Sequence, residues 1–156
     1  MKTAYALRGL VAAFLLALAG DLPALAAEAP RVVVSGRPIH AITAGLMAGV
    51  AEPELLFPDP GDPRTRAPSA VDREALAAAD LVAWTGPELE PALAPAIAAL
   101  ENDVPVYEAL ASARLKVLPD RREETRRDPF FWLDSRNMLL LLDELGRRLV
   151  ELDPAH

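Results

Sequence analysis

Short β-branched apolar runs alternate along this chain with stretches whose apolar residues recur three and four positions apart. Arg31 to Ser35 (RVVVS) suits a strand buried on both faces, and Gly36 and Pro38 end it. Across residues 39–50, Ile39, Ile42, Leu46, Met47 and Val50 fall at helical spacing and predict a helix with one apolar stripe. Glu54 to Phe57 predicts a second strand. Residues 58–68 then hold Pro58, Pro60, Pro63 and Pro68 among polar residues, a rigid loop that can be neither helix nor central strand.

Ser69 is a good N-cap for a helix over 70–78, with Asp72 in its first turn. Asp80 to Trp84 predicts the third strand, ended by Thr85-Gly86-Pro87. Residues 88–100 read as a helix distorted by Pro91 and Pro95. Val104 to Tyr107 predicts a fourth strand, and Pro105 inside it points to an edge or strand-start position. Residues 109–128 read mostly as loop. Residues 137–152 form the strongest helical pattern, with Leu139, Leu142, Leu145 and Leu149 on one face and Leu141 and Leu152 widening it. Asp134 or Ser135 can cap its start.

Strand and helix thus alternate three times before a last strand, a loop and a long helix. That order predicts an α/β lobe: a four-stranded parallel sheet flanked by helices. Ligands of such sheets sit outside the carboxyl ends of the strands. Four loops should converge there: 36–40, 58–68, 85–88 and the segment from Glu108 onward. No Gly-rich nucleotide loop, GxSxG or HExxH is present.

Composition narrows the function classes. The 156 residues include no Cys, which removes disulfides and thiolate metal sites. Lys2 and Arg8, the apolar run Val11 to Ala19 and the small-x-small step Ala24-Leu25-Ala26 predict a secretory signal peptide over residues 1–26, cleaved after Ala26 or Ala27. An uncleaved N-terminal anchor is the alternative. The remaining lobe, 27–156, is expected to be exported, soluble and without a membrane span. The formal charge of −7 becomes one unit more negative without Lys2, Arg8 and Asp21. That acidity argues against nucleic-acid binding.

The residues then match a family. Val34-Ser35-Gly36-Arg37-Pro38-Ile39-His40, Glu52 to Leu56, Ala67-Pro68-Ser69-Ala70 and above all Ala79 to Glu90 (ADLVAWTGPELE) occur in order, followed by Trp132-Leu133-Asp134 and Glu151-Leu152-Asp153-Pro154. In these segments the chain resembles the zinc and manganese solute-binding proteins of bacterial ABC importers. The resemblance implies one half of a two-lobed periplasmic metal-binding protein, since such proteins continue through a spine helix into a second lobe.

Two departures qualify that implication. The resemblance implies two ligand histidines in this lobe. One belongs in the loop after the second strand, where Asp62 stands. The other opens a His-x-Trp-Leu-Asp signature, where Phe130 stands. His40, Asp62 and Asp134 remain as candidate ligands for weakly bound zinc or manganese, against ordinary roles as loop-bonded side chain, turn residue and helix cap. Phe130, Phe131 and Trp132 are candidate cleft or interface residues, because three consecutive large rings cannot all enter one core.

With His40 the one credible base and no nucleophile beside it, no catalytic constellation emerges. The expected partners are an ABC permease, a separate second-lobe protein or a second copy. The expected role is an accessory or binding component of metal import with a degenerate site. A periplasmic protein-interaction module on the same lobe is the alternative.

Overall fold

The computed structural model describes residues 29–100 and 104–156. The signal peptide expected over residues 1–26 and its cleavage site lie outside the described residues. Strands β1 (Val32–Val34), β2 (Glu54–Leu55), β3 (Leu81–Trp84) and β4 (Val106–Glu108) form one sheet in the order β2-β1-β3-β4. All pairs are parallel, with Val33 opposite Glu54 on one side and Val82 on the other. The helices are α1 (Arg37–Leu46), α2 (Ala70–Ala77), α3 (Ala94–Ala98) and α4 (Ser135–Leu152).

The two-residue period of the strands divides the core between two faces. Val32, Val34, Leu81, Ala83 and Tyr107 pack with Ile39 of α1 and with Leu141 and Leu145 of α4. Val33, Val82 and Trp84 pack with Leu56, Leu76 of α2 and Leu93 before α3. Both central strands are buried throughout, as their unbroken apolar sequences require.

Local chemistry sets the boundaries. Ser69 accepts from Asp72 N while Asp72 accepts from Ser69 N, a reciprocal capping box that opens α2. Helix α1 starts two residues earlier than its apolar stripe, because Pro38 is tolerated in the first turn. It stops ahead of Gly49, whose φ is 89°. The stretch 88–100 is helical only over Ala94–Ala98. Pro91 has no N–H to donate and Pro95 occupies the first turn, so the preceding residues form separate turns. Strand β4 begins after Pro105, whose carbonyl accepts from Val82 N at 2.9 Å.

The apolar stripe of α4 differs in phase from the one expected. Asn137, Leu141 and Leu145 are its buried residues, whereas Leu139 is 68% and Leu142 45% exposed. Four consecutive leucines make the phase ambiguous in sequence, and Asn137 decides it. Its Nδ2 donates to the carbonyls of Lys116 and Phe131, each at 3.0 Å, and its Oδ1 accepts from Lys116 N at 2.9 Å. A polar side chain thus ties α4 to two loops from inside the core.

Candidate functional site

The chain leaves β1 for one side of the sheet and β3 for the other, so the crevice between their carboxyl ends is the place for a ligand. Here the crevice is filled from within. Ser35 Oγ donates to Glu90 Oε2 at 2.9 Å, and Thr85 N donates to the same oxygen at 2.9 Å. Glu90 is 1% exposed. Burial pushes its carboxyl above the usual range, and the bonds from Thr85 and Ser35 oppose that rise.

Beside it, Gly86 adopts a φ of 133°, and a Cβ there would lie 3.1 Å from Leu110 Cβ. Only glycine suits both constraints. Glu88 approaches the same point from the turn after β3, and Glu108 from the end of β4. Arg127 ties this corner down through Glu88 Oε1 at 2.9 Å and the carbonyl of Leu110 at 2.6 Å. Burial and the neighbouring Glu88 raise the Glu108 carboxyl.

Each candidate ligand has its own partner. His40 Nε2 lies 2.9 Å from the carbonyl oxygen of Pro53. Asp62 Oδ1 accepts from Arg64 N at 2.9 Å and faces the Arg64 guanidinium at 3.8 Å. Asp134 caps α4 through Arg136 N at 2.9 Å and pairs with the Arg136 guanidinium at 3.1 Å. These contacts with Arg136 hold its carboxyl below the usual range. Among the described residues no three His, Cys, Asp or Glu side chains are placed to share a metal ion. His40, Asp62 and Asp134 are therefore not brought together, because each is turned toward a neighbour on its own segment or an adjoining loop.

The three rings separate as steric reasoning requires. Phe131 is buried in the α1–α4 core, Trp132 is half-buried against it and Phe130 is 37% exposed. Trp132 meets both phenyl rings edge to face, at 5.3 Å from Phe130 and 5.5 Å from Phe131. The Arg64 guanidinium lies over the Phe130 ring, 5.4 Å from its centre. Arg66, in the same loop, lies over Phe57 at 5.1 Å. Two guanidinium-on-ring contacts thus run from the proline-rich loop, and of the two only that of Arg66 is backed by a hydrogen bond, to the carbonyl of Asp59.

Sequence reasoning missed the roles of Glu90 and Arg64. Glu90 ends the segment Ala79 to Glu90, where a carboxylate following an apolar strand and a Gly turn was the available signal. Arg64 stands two residues after Asp62, the spacing at which a guanidinium can fold back on a turn carboxylate.

Comparison with known proteins places the chain. A sequence profile of the family described as "Zinc-uptake complex component A periplasmic" matches residues 32–156. A high-affinity zinc uptake system protein of Brucella abortus is 36% identical over 81 residues, which are 52% of this chain and 24% of that protein. The chain therefore spans about a quarter of that relative's length.

Among solved structures, the periplasmic zinc-binding protein TroA of Treponema pallidum superposes with a TM-score of 0.71 at 23% identity, over 80% of this chain and 45% of TroA. A cadmium-bound periplasmic metal-binding protein of Candidatus Liberibacter asiaticus gives 0.70 at 18%, over 81% and 46%. At these identities the superpositions establish the fold, a single α/β lobe like part of those longer chains. With the profile spanning all four strands and all four helices, the chain belongs to the zinc-uptake component A (ZnuA) family.

Proposed function

We propose that this lobe is an exported, periplasmic component of a zinc or manganese ABC import system, working through its strand-end face with a degenerate metal site. The observation that carries this reading is the family match over residues 32–156. The metal is cargo here, not a resident cofactor, and is held weakly. The side chains support weak holding, since His40, Asp62 and Asp134 each have a competing partner. An imidazole-poor set of this kind falls short of the roughly four ligands zinc prefers.

The partners that fit are the permease of the importer, a separate protein that supplies a second lobe, or a second copy. No enzymatic role is proposed. Among the described residues no helix is long and apolar enough to cross a membrane.

Calorimetric titration of the purified protein with zinc and manganese tests the reading. Binding weaker than about micromolar but detectable below millimolar supports a degenerate carrier. Absence of any heat in that range favours the second reading, an interaction module without metal, for which the exposed Phe130 is the supporting observation.

A further inference from the structure

We propose that Phe130 and Asp62 form a slot for a guanidinium group, held in this structure by the chain's own Arg64 and open to an arginine side chain of a partner. The platform is built and the cation is loose. Asp128 Oδ1 accepts from Phe130 N at 2.9 Å and fixes the backbone. Trp132 meets the Phe130 ring edge to face and is itself braced by Phe131 in the core. The ring is therefore oriented before any cation arrives, which lowers the cost of binding.

Arg64 is held much less firmly. Its side chain is 48% exposed, and its ion pair with the 54% exposed Asp62 spans 3.8 Å. Among the described residues its guanidinium donates no hydrogen bond, whereas that of Arg66 donates to the carbonyl of Asp59 while lying over Phe57. An exposed pair at that distance contributes little. The aromatic face and the carboxylate suit a planar organic cation: the ring quadrupole attracts it and the carboxylate neutralises it. A ring has no lone pair to give a metal, so the same slot selects against zinc.

This inference rests on side-chain geometry and stands apart from the transport reading. It is tested by vacating the slot with Arg64→Ala and titrating with methylguanidinium at about 1–100 mM, far below denaturing concentrations. Sodium chloride matches the ionic strength, and zinc chloride is titrated separately. Trp132 fluorescence reports, since Trp84 is buried in the opposite core. The expected result is a saturable change with a midpoint at least about tenfold lower in Arg64→Ala than in the unaltered protein. The change should be lost when Phe130→Leu is added. Should that double variant fail to fold, Asp62→Asn with Arg64→Ala carries the same comparison. Equal midpoints with and without Arg64, a response that survives both doubles, or saturation by zinc in place of methylguanidinium would overturn the slot. Zinc binding elsewhere, insensitive to Arg64, supports the transport reading and leaves the methylguanidinium comparison to decide the slot.

Discussion

Ser35 Oγ and Glu90 Oε2 meet at 2.9 Å across 55 residues of sequence, joining the end of β1 to the turn that follows β3. The bond closes the crevice at which a doubly wound sheet usually receives its ligand. Whatever this lobe contacts must therefore be met by the loops above the sheet edge.

Glu90 should make stability pH-dependent in a recognisable direction. Its carboxyl is raised above the ordinary value of 4.5, so its contribution is complete below that value and is lost as pH rises through the folded-state pKa. Glu90→Gln removes the titration. The melting temperature of the unaltered protein relative to Glu90→Gln should therefore be most favourable near pH 4 and decline toward pH 7. A constant difference across that interval would refute this. Asp134 and Asp143, whose carboxyls are lowered by Arg136 and Arg114, act in the opposite direction and cancel in the comparison.

The phase of α4 can be checked by truncation. Leu145→Ala empties a fully buried position and should cost about 2–5 kcal/mol in urea unfolding. Leu139→Ala, at a 68% exposed position, should stay within about 0.5 kcal/mol. A loss from Leu139→Ala as large as that from Leu145→Ala would restore the stripe expected from the leucine run.

Asn137→Leu keeps the branching of that side chain but strips partners from Lys116 N, Lys116 O and Phe131 O. Unsatisfied groups of this kind cost about 1–3 kcal/mol each when they stay buried. A loss of at least about 2 kcal/mol is expected, together with faster proteolysis of the 112–133 segment. Unchanged unfolding would mean that water replaces the amide.

His40→Ala should lower stability by about 1 kcal/mol through the lost contact with Pro53 O. Calorimetry should find the weak zinc binding reduced further in this variant. An unchanged affinity would remove His40 from the ligand set.

Much of the fold was readable from residue patterns because the signals were local. Val32 to Val34 and Leu81 to Trp84 are unbroken apolar runs, and Ser69 with Asp72 spells out a cap. Pro91 and Pro95 announced a distortion but not that only one turn and a half would stay helical. The phase of α4 was hidden because it depends on Asn137 finding partners 6 and 21 residues away. The site was harder still. Asp134 could be recognised as a cap from its position, but the pairing of Arg64 with Phe130 joins loops 66 residues apart, and no spacing rule encodes it.

The guanidinium over Phe130 also couples, through a single side chain, two loops that among the described residues share no backbone hydrogen bond with each other. Arg64 reaches the Phe130 ring and the Asp62 carboxylate at once, so a change at either end loosens the same cation. The proline-rich loop and the aromatic turn before α4 therefore answer to one another through charge and ring, and a substitution in one is felt in the other.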